Sequence, residues 1–137
     1  RLFRKASLAM PGVIILEADA FQSYEMAQVE MEVLNQQLVW KPEELAGVAM
    51  IVVADDAPFT AANIRNYVWV TYTRCNPSHD IHGIDAFTEN KHWGCRGPLV
   101  IDARIKPHHA PPLEKDPAVE KRIDRLFEKG GSLYGIL

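Results

Sequence analysis

Between positions 21 and 38 the apolar residues Tyr24, Ala27, Met31, Leu34 and Leu38 recur every three or four places, while Glu25, Gln28, Glu32 and Gln36 fill the opposite side. This period predicts an amphipathic helix over 21–38 with its apolar stripe packed into a core. Met26, Met31 and Leu34 could also be imagined as a cofactor surface, but core packing accounts for such a stripe without one. Upstream, residues 1–10 read as a short basic segment. Pro11-Gly12 then punctuates the approach to the continuous apolar run Val13-Ile14-Ile15-Leu16, which reads as a strand buried on both faces.

After a break at Lys41-Pro42-Glu43-Glu44, residues 48–53 give a second buried strand, rich in β-branched side chains and ended by Asp55-Asp56. Those two aspartates could bind metal or move protons, but solvated turn carboxylates are the simpler reading. Thr60 is the predicted N-cap of a helix through Ile64, Tyr67, Val68 and Tyr72 that stops before Asn76-Pro77. Leu99, Val100 and Ile101 make another strand, followed by an irregular, proline-rich stretch over 107–112. Asp116-Pro117 opens a last helix carrying Val119, Ile123, Leu126 and Phe127, closed by Gly130-Gly131. Strands alternating with helices predict an α/β fold. We expect one layered domain over 1–137, a mixed or mostly parallel sheet with helices on both faces and a strand order the pattern does not set.

Composition narrows the function. The chain has 137 residues, the size of one domain, and at 47% hydrophobic and 24% charged it has the balance of a globular protein. Fifteen Lys and Arg against eighteen Asp and Glu leave a formal net charge of -3, which offers no basic footprint for nucleic acid or an anionic membrane. Cys75 and Cys95 form no CxxC pair and read as free thiols of a reducing compartment, so a cytoplasmic location is expected. The longest apolar run, 47–54, falls far short of the roughly 20 residues a membrane-spanning helix needs. Arg1 in place of Met, without a signal-peptide apolar region, leads us to expect a piece of a longer polypeptide.

All five histidines fall between positions 79 and 109, within the stretch 76–112 that has the weakest periodicity. Functional residues concentrate in such loops. His79, Asp80, His82, His92 and Cys95 are the ligand types zinc uses, but their spacing fits no standard metal pattern. Cys95, His92 and Asp102 could serve nucleophilic catalysis, although one Cys and one His three apart establish little. Gly94-x-x-Gly97 lacks the strand, lysine and helix of a phosphate cradle and reads as a turn. No complete catalytic set emerges, so the chemistry must come from elsewhere.

Two strings are more specific: Thr73-Arg74-Cys75-Asn76-Pro77-Ser78-His79-Asp80-Ile81-His82-Gly83-Ile84, then Lys91-His92-Trp93-Gly94-Cys95-Arg96-Gly97-Pro98-Leu99-Val100-Ile101-Asp102-Ala103. Together with Ile51-Val52-Val53-Ala54-Asp55-Asp56 and the helix over 63–74, they resemble the carboxy-terminal domain of UbiD-like aromatic-acid decarboxylases. The likeness is firm over 47–112 and holds only in outline before that.

The resemblance implies a three-domain protein, in which this domain oligomerises and completes the substrate wall. Prenylated flavin mononucleotide, a divalent metal (Mn or Mg) and potassium would sit in a central domain outside this chain, with the Glu-Arg-Glu catalytic set beside them. The flavin's azomethine ylide serves that family as an electron sink. No catalytic, cofactor-binding or metal-binding residue is therefore assigned here. By alignment the two substrate-wall positions fall on His82 and Ile84, which lie two apart in an extended segment and so share a face. A histidine there suits a ring hydroxyl, and the likeness is greatest to gallate or protocatechuate decarboxylases. The implied partners are the rest of the polypeptide, further copies of it and a small phenolic or catecholic acid. A free-standing oligomerisation or partner protein without catalytic activity is the alternative.

Overall fold

The structure, a computed structural model, describes residues 2–109 and 116–136. In chain order these form β1 (Phe3–Met10), β2 (Val13–Ala18), α1 (Tyr24–Leu38), β3 (Met50–Ala54), α2 (Ala57–Ala61), α3 (Ile64–Thr73), β4 (Ile81–Gly83), β5 (Ala86–Glu89), β6 (His92–Cys95), β7 (Leu99–Asp102) and α4 (Pro117–Phe127). Five strands make a mixed sheet in the order β1-β2-β3-β7-β4, and β5 and β6 pair separately. The centre of the sheet is parallel, β2 to β3 to β7, while β1 and β4 run antiparallel at its edges. This is the layered α/β fold that the alternation predicts.

The β3 run explains how both faces are covered. Val52 and Ala54 point to one side and meet Ile15, Ile101 and, from α3, Tyr67 and Val70. Ile51 and Val53 point to the other and meet Met31 and Leu34 of α1, with Val100 and Ile84. Alternation at period two thus splits one apolar run between two cores. Burying each such aliphatic side chain contributes about 1.5–3 kcal/mol.

Several boundaries differ from expectation for identifiable reasons. Residues 3–10 are a strand rather than a basic segment. β1 is an edge strand, and its solvated side, where Arg4 pairs with Asp19 at 2.7 Å, carries no apolar run to mark it. The helix expected over 21–38 begins at Tyr24, because Ser23 caps it by accepting from the Met26 amide at 3.2 Å. The single helix expected from Thr60 is two. Asp56 caps α2 (Phe59 amide, 2.8 Å) and Asn63 caps α3 (Asn66 amide, 3.0 Å), while Thr60 lies inside α2 and donates to the Asp56 carbonyl at 2.6 Å. Asp55 is likewise more than a solvated turn carboxylate, accepting from the Ile105 amide at 2.9 Å and pairing with Arg74 at 3.2 Å.

The stretch with little periodicity holds β4, β5 and β6. These strands have three or four residues each, too few to show a period, and most of their side chains are exposed. Of the proline-rich segment, 107–109 form a turn, and 110–112 lie outside the described residues. α4 forms as the sequence predicts, opened by Asp116, yet buries none of its residues.

Candidate functional site

The carboxyl ends of β3 and β7 carry a set of buried charges, where open α/β sheets commonly place their sites. Asp102 and Arg104 are buried, and the guanidinium grips the carboxylate with Nε at 3.0 Å from Oδ1 and Nη2 at 2.7 Å from Oδ2. Arg104 also reaches Glu30 at 2.7 Å and the Asp19 carbonyl at 3.0 Å. Burial alone would raise the Asp102 carboxyl, but the Arg104 hydrogen bonds and the charges of Lys106 and Arg104 outweigh it and hold the group below its usual value. Lys106 donates to Asp80 at 3.0 Å, the Arg74 carbonyl at 3.1 Å and the Asp102 carbonyl at 2.6 Å. One ammonium thereby ties the end of α3, the turn before β4 and the end of β7. The Phe21 ring lies 5.7 Å from the Arg104 guanidinium carbon and 5.6 Å from the Lys106 nitrogen.

This network fixes the turn that launches β4. Asp80 accepts from the Asn76 amide at 2.6 Å, closing the turn, and His82 follows with its Cα paired to Val100. Val100 faces α1, so His82 does too. Between α1 and β4 opens a cleft of about 480 Å³, lined by Tyr24, Met31, Asn35, His79, His82 and Trp93 among others. Burial pushes the His82 imidazole below the ordinary histidine value despite the opposing charges of Asp102 and Asp80. The ring is therefore neutral at neutral pH, and offers one donor and one acceptor. His79 stacks on Tyr24 with ring centroids 4.8 Å apart, and its Nδ1 lies 2.8 Å from the Ser78 hydroxyl. The Tyr24 hydroxyl has no hydrogen-bond partner among the described residues.

The far wall is the β5–β6 hairpin. Glu89 pairs with His92, leaving Asn90 and Lys91 as a two-residue loop at φ +50° and +68°, the geometry that matches hairpin twist. Gly83 lets this hairpin approach β4, because a Cβ there would come within 2.8 Å of Cys95 Sγ.

His82 and Ile84 share the α1 side of the sheet, as their spacing requires, but they end in different surroundings. His82 lines the cleft, whereas Ile84 is 2% exposed and packed in the core beneath α1. The Cys95, His92 and Asp102 grouping is not assembled, since the Asp102 carboxylate is engaged by Arg104 and burial pushes the Cys95 thiol up, away from the thiolate. Gly94 and Gly97 are packing glycines, set against Phe87 and Ile84 respectively. Arg104 and Lys106 belong to no motif or apolar period, and so escape a reading of the sequence. Their alternation with Asp102 in Asp-x-Arg-x-Lys, at the end of an apolar strand, is the signal that marks a buried ionic cluster.

Among the described residues no group of three or more His, Cys, Asp or Glu side chains could hold a metal ion. The cleft lining includes Glu32 and contains no Lys or Arg, so it does not fit the phosphate of a flavin nucleotide. No helix of the described residues is long and apolar enough to cross a membrane.

Fold and cleft define an α/β domain with a small-molecule-sized cleft whose lining includes Glu32 and no Lys or Arg. No family model matches the chain. It is 29% identical, over 84 residues, to a 4-hydroxybenzoate decarboxylase subunit from Chlamydia pneumoniae, a match covering 61% of this chain and 14% of that protein. It is 24% identical over 102 residues to a protein of Chlamydia muridarum, covering 74% of this chain and 18% of that one. Among solved structures, the open form of Sedimentibacter hydroxybenzoicus vanillic acid decarboxylase superposes with a TM-score of 0.46 at 17% identity, covering 85% of this chain and 26% of that one. The chain thus spans less than a fifth of the length of the curated relatives it matches. The sequence likeness is to a decarboxylase subunit, and it does not distinguish the gallate and protocatechuate branch.

Proposed function

We propose that this chain is the substrate-wall domain of a decarboxylase acting reversibly on a phenolic or catecholic acid. Prenylated FMN, its divalent metal and potassium are held by other parts of the enzyme, as are the catalytic groups. The observation that carries the reading is His82: a half-buried, neutral imidazole on the wall of a cleft whose lining has no cation for a carboxylate. Such a ring can donate to or accept from a hydroxyl, and burial makes that bond directional and costly to leave unpaired. The likeness to a 4-hydroxybenzoate decarboxylase subunit points to the same substrate class. Ile84 supports the wall from behind, through its packing against α1. The enzyme works as a homo-oligomer in the cytoplasm.

The test uses the complete enzyme with its cofactors, following CO2 release from an acid with a ring hydroxyl and from the same acid without it. The wild type should prefer the hydroxylated acid, and His82→Ala should erase that preference. An enzyme that decarboxylates neither acid, or a His82→Ala variant with the preference intact, refutes the reading.

A further inference from the structure

We propose that Trp93 is the ring-stacking residue of the cleft, with the aromatic ring of the bound acid lying on its indole and the ring hydroxyl directed inward to His82. This rests on the reading of the cleft as a phenolic-acid site, and adds to it a residue, a contact and an orientation.

Trp93 sits on β6 and is 49% exposed, although it is one of the largest apolar side chains in the protein. It lines the same cleft as His82 and Met31. Trp93 and Cys95, two apart on the strand, both face Gly83, where a Cβ would stand 3.4 Å from the indole Cη2. Because position 83 has no side chain, the indole can settle against the β4 backbone directly beside His82. The other face of the hairpin is braced: a Cβ at Gly94 would meet the Phe87 ring at 2.8 Å, and the Arg96 guanidinium covers that ring at 4.7 Å. Arg96 in turn reaches Asp85 at 3.5 Å and Glu89 at 3.7 Å. The hairpin therefore presents one indole to the cleft from a supported strand.

An exposed π face next to a single directed polar group is what a planar hydroxylated ring requires, since stacking supplies area and the polar group supplies register. The cleft volume of about 480 Å³ suits a molecule of that size. The lining also sets the orientation. With Glu32 present and no Lys or Arg, the cleft is hostile to a carboxylate, so the ring end enters and the carboxylate points out of this domain.

The experiment uses the full chain with Trp40→Phe and Trp69→Phe, which leaves Trp93 as the only indole of the three. Trp93 emission is followed while 4-hydroxybenzoate, phenol or cyclohexanecarboxylate is added. Saturable quenching by 4-hydroxybenzoate and phenol, without any by cyclohexanecarboxylate, is expected. Ligand-observed NMR should show Trp93→Leu weakening 4-hydroxybenzoate binding about tenfold, with Trp93→Phe retaining most of the affinity. Equal binding of the aliphatic acid, unchanged affinity in Trp93→Leu, or no quenching by any aromatic ligand overturns the assignment. Hydroxyl discrimination by the complete enzyme that depends on His82 but not on Trp93 overturns it too, and leaves the decarboxylase reading standing. Quenching at Trp93 with no turnover of any phenolic acid supports the assignment and sinks the decarboxylase reading instead.

Discussion

The Lys106 ammonium lies 3.0 Å from Asp80 Oδ2, and neither side chain is more than 1% exposed. Removing one member strands a charge in the interior. Lys106→Met should therefore lower unfolding free energy by about 3–5 kcal/mol, measured by urea denaturation. Asp80→Asn should cost a similar amount, and the double variant less than the sum of the two. Additive losses would show that the two groups do not act as a pair.

On the proposed reading, His82→Ala in the complete enzyme should remove a partner from a desolvated hydroxyl, at a cost of about 1–3 kcal/mol. That corresponds to roughly 5- to 150-fold in kcat/KM for a substrate with the matching ring hydroxyl. For the analogue without it the change should be small. Steady-state kinetics on the two acids checks the difference.

Ile84 is placed to be felt through folding rather than contact with a ligand. Truncation to Ala leaves a cavity between Met31, Leu34 and Val100 and should cost about 2–5 kcal/mol, against about 0.5–1.5 for Ile84→Val. Thermal unfolding of the two variants separates this from a purely surface role.

Acid should destabilise the fold in two stages. Burial lowers the His82 and His109 pKa values, with the His108 and Lys106 charges adding to the effect at His109. In the unfolded chain both rings take up protons near the ordinary value of about 6.5. As pH falls below that value the unfolded state binds more protons than the folded one, and stability declines until the folded rings protonate. The depressed Asp102 carboxyl acts at lower pH. Its contribution is complete above the ordinary value of 3.8 and is lost as pH falls through its lower folded value. Urea midpoints measured across this range should show both declines, and His82→Gln should shrink the first.

Lys91 occupies the left-handed region at φ +68°, in a hairpin loop that favours Asn-Gly. Lys91→Gly should raise stability by about 0.5–1 kcal/mol. A lower melting temperature would mean that the lysine side chain contributes something the backbone strain conceals.

Long-period features are legible in the sequence. The α1 stripe, the two-faced β3 run and the alternation of elements each involve enough residues to reveal a period, and the fold class follows from them. Asp56 and Asn63 do not stand out as caps because a helix broken only at Ala62 and Asn63 keeps nearly the same apolar spacing. The candidate site is half visible. His82 comes from a string likeness, but Trp93 joins it only through the packing of the β5–β6 hairpin against Gly83, and that closeness is tertiary geometry. Ile84 is expected on the wall from the family resemblance; alternation puts it on the same face as His82, while what covers that face is decided by α1.

No residue of α4 is buried, and Val119, Ile123 and Leu126 are all at least 38% exposed. An eleven-residue helix without such cover is marginal in water. Its amides should then exchange with solvent deuterons through local fraying, orders of magnitude faster than those of β3, whose exchange requires the whole sheet to open. On this basis α4 should melt separately from the cooperative unit built on the sheet.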